Sequence, residues 1–264
     1  MPKVSVNDIN LYFEVHGTGF PIIVISGLAE NIYWWSEEFV KEVSGHYQLI
    51  LFDNRGAGHS DKPDIEYSIE MMAKDTIGLM DQLKIDEAFI LGHSLGGLIA
   101  QEIALSYPKR VKKLILCSTS CPEKSVSANE NILNLLSERG TAEQIVRKVT
   151  IPVNFSNDFV KNNPNKIENI IKKHLIAPIP GRAFRRQLQA SRNFRSCERL
   201  KTLEIPTLIL HGQQDILVPT ENGNILNNII PNSKLRIFEK SAHILFTQDP
   251  ELEIEVLLDF LDQN

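Results

Sequence analysis

Between residues 87 and 120 a continuous apolar run, a serine bracketed by glycines, a helical pattern and a second apolar run follow one another with almost no linker: "EAFILGHS", "LGGLIAQEIALSYP", "VKKLILCSTS". An uninterrupted apolar run of strand length reads as a strand covered on both faces. Two such strands joined by a helix form a parallel βαβ unit, right-handed in nearly every instance. The same alternation starts earlier, with "PIIVISG", the helical "WWSEEFVKEVSG", the buried run "YQLILFD" and the amphipathic "SIEMMAKDTIGLMDQLKI". It resumes at "EIPTLILHG" and continues through the helical "ENGNILNNII", the strand "SKLRIFEK" and the terminal helix "PELEIEVLLDFLDQ". Ahead of the series, "KVSVNDINLYFEVHG" carries two short alternating runs about Asn7-Asp8, a hairpin signal.

The expected fold class is therefore α/β, a mostly parallel central sheet with helices on both faces. The alternation breaks after Cys121. Residues 122–200 read as helical and polar, with prolines at 152, 164, 178 and 180 and no convincing buried strand. We expect residues 1–121 and 201–264 to form the core and 122–200 to lie over one end of the sheet as a helical insertion.

Composition narrows the function classes. Hydrophobic residues at 42% and charged residues at 23% suit a folded globular chain, and a net charge of −5 argues against a nucleic-acid partner, which needs a basic surface. No apolar run approaches the length of a membrane span. The opening "MPKVSVNDIN" lacks the apolar stretch of a signal peptide, so the expected address is cytoplasmic. Cys117, Cys121 and Cys197 are expected as structural thiols in a reducing compartment. The spacing of Cys117 and Cys121 suggests metal ligands only superficially, because no second Cys or His cluster accompanies it. Neither a metal nor a cofactor is expected.

The serine at the join, Ser94, has Gly92 and Gly96 two places to either side. This G-x-S-x-G sequence, placed between a strand and a helix, is the pattern of a nucleophile elbow, in which side chains at the two glycines would collide with a sharp corner. The bland alternative is a helix start with serine as its cap. A serine nucleophile needs a base, and the base an acid to orient it. Asp215 lies in "QQDILVP", just past the strand "PTLILHG", and His243 lies in "KSAHILF", just past the strand "LRIFE". Both fall where an open α/β sheet collects its ligands, in the order serine, acid, histidine. Asp53 also ends a strand, but it precedes the serine in a glycine-rich turn and reads as structural; Glu123 is set back from its strand end. Among the other histidines, His93 is expected to point away from Ser94, and His16, His46, His59, His174 and His211 lie in turns, in the insertion or at a strand end. Backbone donors for a developing oxyanion are expected from Leu95, directly after the serine, and from Leu28 in the loop "SGLAEN".

In order along the chain, "YFEVHGTGFPIIVISG", "LFDNRGAGHSDKP", "GHSLGG", "LILHGQQDILVP" and "SAHILF" give it a resemblance to the α/β-hydrolase fold superfamily over nearly its whole length. The region 122–200 resembles that family's variable helical cap. Among relatives the chain is similar to small bacterial carboxylesterases, including the type that cleaves pimeloyl-carrier-protein methyl ester, and to 3-oxoadipate enol-lactonases. One departure is visible: Ser26-Gly27 stands where the family usually carries His-Gly. Dehalogenases and epoxide hydrolases of this fold use aspartate at the elbow, so Ser94 implies acyl transfer to serine followed by hydrolysis. The cofactorless perhydrolases share the serine triad.

The resemblance implies a serine esterase acting on a small-molecule ester, with an enol-lactonase or other lactone or thioester hydrolase as the alternative. A ligand-sensing signalling protein on the same fold is the competing class. Phe155, Phe159, Phe184, Phe194 and the Trp34-Trp35 loop are candidate walls of an apolar acyl pocket or packing between cap and core. Arg182, Arg185, Arg186, Arg192, Arg195 and Arg199 make "GRAFRRQLQASRNFRSCERLK" locally basic: either a docking surface for an acidic partner such as an acyl-carrier protein, or a solvated helix face.

Overall fold

The hairpin about Asn7, whose φ is 49°, pairs β1 (Lys3–Val6) with β2 (Ile9–His16) antiparallel at one edge of the sheet in the computed structural model, which describes residues 3–135 and 138–263. Strands β3 (Pro21–Ile25), β4 (Gln48–Phe52), β5 (Ala88–His93), β6 (Val111–Cys117), β7 (Thr207–Gly212) and β8 (Ser233–Phe238) complete an eight-stranded sheet of order β1-β2-β4-β3-β5-β6-β7-β8. β2 meets β4 antiparallel, and every pair from β4 to β8 is parallel. From β3 the chain winds outward to β4 and then crosses back to β5. The loops leaving β3 and β5 therefore part at a switch point of the strand order, where open α/β sheets leave a crevice.

Continuous apolar strands make sense here because alternate residues feed two different cores. Ile23, Ile25, Ile90, Leu114 and Leu116 pack on one face, while Ile22, Val24, Phe89, Leu91 and Ile115 pack on the other. Helices α1 (Glu37–Ser44) and α2 (Ile69–Gln82) begin at serines whose hydroxyls accept the Phe39 and Met71 amides, and α3 (Leu95–Ser106) begins directly at Ser94. Phe39 and Val43 of α1 cover one face of the sheet, while Met72 of α2 and Ile99 of α3 cover the other.

Between β6 and β7 the described residues form only helices and turns: α4 (Glu130–Leu135), α5 (Ala142–Ile145), α6 (Ile151–Asn154), α7 (Asn157–Asn162), α8 (Pro164–His174), α9 (Gly181–Asn193) and α10 (Cys197–Leu200). Val146, Ile151, Phe155, Ile167 and Ile171 from this segment close around Trp34 and Ile244 of the core. Ala190 and Phe194 join the main core beneath α9. Phe155 and Phe194 are thus packing residues, whereas Phe159 and Phe184 are half-buried. Helices α11 (Glu221–Ile229) and α12 (Pro250–Asp262) finish the chain. Among the described residues no helix is long and apolar enough to cross a membrane.

The cysteine reading is corrected. Cys121, just past β6, is disulfide-bonded to Cys197 at the start of α10, and only Cys117 is a free, buried thiol. The partners lie 76 residues apart in sequence but 5.4 Å apart between Cα atoms, a proximity that local spacing does not encode. Oxidising compartments favour such bonds. This one ties the strand that enters the helical segment to the helix that leaves it. Closing so long a loop contributes about 2–4 kcal/mol, chiefly by constraining the unfolded chain. The Cys121→Ser/Cys197→Ser variant is expected to unfold about 5–10 °C below the oxidised wild type in a calorimetric scan. An unchanged midpoint would show that the bond constrains nothing of consequence.

Candidate active site

Ser94 takes φ 52° and ψ −116°, a conformation outside the ordinary regions for an L residue. What holds it there is crowding. A Cβ on Gly92 would lie 2.2 Å from the Gly96 carbonyl oxygen, and a Cβ on Gly96 would lie 2.1 Å from the Ile25 carbonyl oxygen. Only bare backbone lets α3 approach the ends of β3 and β5 this closely. The corner is then pinned by hydrogen bonds: the Ser94 N–H donates to Cys117 C=O at 2.9 Å, and Thr119 Oγ1 donates to Ser94 C=O at 2.7 Å. Its side chain caps nothing, which sets the elbow reading apart from the helix-cap alternative.

Asp215 and His243 come from loops following β7 and β8, at the same edge of the sheet as Ser94. Asp215 Oδ1 accepts the Leu217 and Val218 amides at 2.9 and 2.8 Å, and Oδ2 lies 2.8 Å from His243 Nδ1 and 3.4 Å from His211 Nε2. Burial would raise the Asp215 carboxyl, but the adjacent His243 and the contacts from both histidine rings outweigh it and hold the group well below the usual range. An ionised Asp215 takes the proton-bearing Nδ1 of His243, which leaves Nε2 as the basic nitrogen. His211 Nε2 also lies 2.8 Å from Val218 C=O, and its buried Nδ1 has no partner among the described residues, so Nε2 carries the proton. The structure thus joins Asp215 to His243 directly. Ser94 stands on the neighbouring corner, and its hydroxyl makes no hydrogen bond to His243 among the described residues. Bonds of this kind are commonly long before substrate binds.

Leu28 is half-buried in a turn of four residues, Gly27–Glu30, closed by Glu30 N–H donating to Gly27 C=O at 3.3 Å. The Leu28 N–H shares a trans peptide plane with that carbonyl and so points the opposite way. Leu95 is the first residue of α3, where backbone N–H groups have no intrahelical acceptor. The serine in place of the family's histidine is accommodated: Ser26 Oγ accepts from Trp35 Nε1 at 3.0 Å, and Ser26 C=O accepts from Asn54 Nδ2 at 2.8 Å.

Two buried groups beside this site escape sequence reading. Glu30 turns inward, accepts the Gly27 amide at 2.6 Å and lies 3.0 Å from His93 Nδ1, while His93 Nε2 lies 3.0 Å from the His243 carbonyl. His93 faces two acceptors, so both ring nitrogens must donate. Burial alone would lower it, but Glu30 and the His243 carbonyl raise it overall; burial would likewise raise Glu30, and His93 with the Gly27 amide draws it down. The pair is an ion pair connecting the Gly27–Glu30 turn to the backbone of His243. Asp53 accepts the Ile32 amide at 2.9 Å and the His59 amide at 2.6 Å, which is the turn role expected of it. Trp34 Nε1 donates to His174 Nδ1 at 2.6 Å, and burial pushes that histidine down to about 4. The sequence pointed to the turn role of Asp53 and to His93 turning away from Ser94, but not to Glu30 as the partner of His93.

Of the six arginines near α9, Arg186 faces Asp64 and Glu66, and Arg199 pairs with Glu102 at 2.6 Å. Arg182 and Arg195 donate to backbone carbonyls, while Arg185 and Arg192 are exposed.

Comparison with known proteins agrees with this architecture. The family model for the alpha/beta hydrolase fold matches residues 21–250. The chain is 27% identical to a protein of Azorhizobium caulinodans whose name assigns it provisionally as the carbamate hydrolase RutD, across 98% of each chain. It is 26% identical to 3-oxoadipate enol-lactonase 2 of Acinetobacter baylyi, over 94% of this chain and 91% of that one. Among solved structures, a thermophilic esterase of Thermogutta terrifontis superposes with a TM-score of 0.81 at 26% identity, covering 98% of this chain and 97% of the other.

The loop that carries His243 depends on Glu253 of α12, which accepts from Ser241 Oγ at 2.5 Å and from the Phe246 amide. Burial pushes the Glu253 carboxyl up to about 8, against the pull of those two donors. A folded value above the unfolded one means that the folded state holds the proton more tightly. This contribution to stability is complete below the ordinary value of 4.5 and is lost as pH rises through about 8. Chemical denaturation at about pH 5 and about pH 9 is expected to show a smaller alkaline loss in Glu253→Gln than in wild type. Equal losses would mean that Glu253 is already ionised in the folded protein.

Proposed function

The chain belongs to the alpha/beta hydrolase fold family, and we propose that within it the protein is a serine hydrolase that cleaves a carboxylic ester through an acyl-enzyme. The observation that carries this reading is the 2.8 Å contact between Asp215 Oδ2 and His243 Nδ1, at the sheet edge where Ser94 occupies its strained corner. In the proposed reaction, Ser94 Oγ attacks the substrate carbonyl while His243 Nε2 takes its proton, and Asp215 stabilises the imidazolium that forms. The Leu28 and Leu95 amides hold the negative oxygen of the tetrahedral intermediate. His243 then gives the proton to the leaving alkoxide. A water molecule, deprotonated by the same nitrogen, attacks the acyl group and restores the Ser94 hydroxyl.

Residues 122–200 serve in this proposal as a cap over the site, in one chain with a core of 1–121 and 201–264; the cytoplasmic address expected from the sequence is not carried into the proposal, because the Cys121–Cys197 bond favours an oxidising compartment. Lactones are cyclic esters and pass through the same acyl-enzyme. The Acinetobacter relative named as an enol-lactonase makes them the second substrate class to try, and the name of the Azorhizobium relative adds carbamates. Carrier-protein docking is not part of the proposal, because the basic segment spends Arg186 and Arg199 on this chain's own acids.

Hydrolysis of short p-nitrophenyl esters tests the reading. The wild type is expected to turn over many times, and Ser94→Ala to lose about 10⁶-fold in kcat. A single slow acylation without release would instead indicate a ligand-sensing protein. Turnover that survives Ser94→Ala would remove the serine from the mechanism.

A further inference from the structure

His93 directly precedes Ser94, and its ring stands on the face of β5 that also carries Phe89 and Leu91. It is buried, and no step of the proposed reaction uses it. A buried polar ring persists only when its nitrogens find partners, and here both do. Nδ1 lies 3.0 Å from Glu30 Oε2, and Nε2 lies 3.0 Å from the His243 carbonyl oxygen. The His93 and His243 rings also meet edge to face, with centroids 4.8 Å apart. His93 thus touches the base of the proposed reaction twice, at its main chain and at its imidazole.

Glu253 anchors the loop after β8 at Ser241 and Phe246, two positions before His243 and three after it. The peptide that leaves His243 has holds of its own. Its carbonyl accepts from His93, and its N–H, on Ile244, donates to the carbonyl of Asn154 in α6 at 3.1 Å. The first of these comes from the sheet and the second from the helical segment. Residues 93 and 94 share a peptide, with Cα atoms about 3.8 Å apart, so the His93 bond ties the base to the strand that ends at the nucleophile. Without it the main chain of residue 243 could shift relative to Ser94, while Asp215 still held the imidazole at Nδ1.

This hold depends on charge. A neutral imidazole has one N–H and one lone pair, whereas both partners of His93 are acceptors. Keeping only Nδ1–H, on Glu30, would turn a lone pair onto the His243 carbonyl. The imidazolium alone donates to both, and Glu30 supplies its counter-charge through the same Oε2 that accepts the Gly27 amide. The ionisable groups around His93 are Glu30 from the turn after β3, His243 from the loop after β8 and, past it, Asp215 from the loop after β7. Its other ring neighbour, Trp35, carries no charge.

We propose that His93, paired with Glu30, is a positioning residue for the proposed base, setting where the main chain of His243 lies relative to the strand that ends at Ser94. The inference rests on the hydrolase reading above. It gives the residue next to the nucleophile a part in the reaction without contact to substrate.

His93→Leu removes both donors. With folding checked by circular dichroism and thermal midpoint, kcat on a p-nitrophenyl ester is expected to fall about 10- to 100-fold, with KM within about threefold of wild type, since a base misplaced by about 1 Å costs about 100-fold. His93→Gln brings a carboxamide N–H near the place of Nε2 and is expected to regain at least about fivefold of that loss. A role confined to packing would favour leucine over glutamine. Glu30→Gln tests the charge, and serves equally should His93→Leu fail to fold. Its carbonyl oxygen can still accept the Gly27 amide, but without the carboxylate His93 gives up its second proton at lower pH. The deficit in kcat against wild type is therefore expected to be about 10-fold at about pH 8 and smaller at about pH 6. Wild-type kcat in folded His93→Leu, a change confined to KM, leucine outperforming glutamine, or a Glu30→Gln deficit equal at both pH values would each overturn the inference. Labelling with an alkyl fluorophosphonate, mapped by mass spectrometry, separates the two claims. A wild type labelled at Ser94, with neither His93 variant impaired, sinks only the positioning role, whereas a wild type unlabelled at Ser94 sinks the hydrolase reading and this inference with it.

Discussion

The first turn of α3 can lie against the ends of β3 and β5 only because Gly92 and Gly96 carry no side chains, and much of the site follows from that approach. It forces Ser94 into a left-handed corner. It also brings the unpaired amide of Leu95 beside the turn that follows β3, at the point where the strand order reverses. Side-chain atoms at either glycine would meet main-chain carbonyls, which cannot yield as a flexible side chain can. The corner is therefore a property of backbone packing, and the chemistry proposed for Ser94 uses a geometry fixed before any substrate arrives.

Around this corner the loops at one sheet edge hold several buried ionisable groups, and each has a specific partner. Asp215 is met by His243, His211 and two amides; Glu30 is met by His93 and the Gly27 amide. Unpaired, such charges would cost several kcal/mol each in a medium that hydrates them poorly. Paired, they set the direction of the loops that carry them. The Glu30–His93 pair bonds to the backbone of residue 243 as well as to the Gly27–Glu30 turn. The proposed base and the proposed oxyanion donor thus share one buried support, and movement of one loop is resisted by the other.

Much of this was legible in the sequence, for identifiable reasons. Apolar runs buried on both faces, and glycines two places either side of a serine, are local patterns with few structural solutions. The parallel sheet, the elbow and the loop positions of Asp215 and His243 could be read from them. Asp53 was legible as a turn residue because glycine-rich turns advertise themselves. Tertiary coincidence was not legible. Cys121 and Cys197 meet only because the helical segment returns to its starting point. His93 was expected to point away from the serine, and it does engage Glu30 instead, but the residue three places past Gly27 gave no sign that its carboxylate folds inward. Gln187 sits in a run of arginines whose charge drew attention to the outside of α9, while its buried face carries the contact to the core.

The central claim is that Ser94, His243 and the two backbone amides address a single reacting atom. A crystal structure of the protein with a short alkylboronic acid tests this most directly, because a boronate on serine reproduces the tetrahedral geometry of acyl transfer. The account predicts boron bonded to Ser94 Oγ, one boronate oxygen about 2.7–3.1 Å from the Leu28 and Leu95 amide nitrogens, and His243 Nε2 within hydrogen-bond reach of another boronate oxygen or of Ser94 Oγ. A boronate bound elsewhere, or one on Ser94 whose oxygens face neither amide, would contradict it.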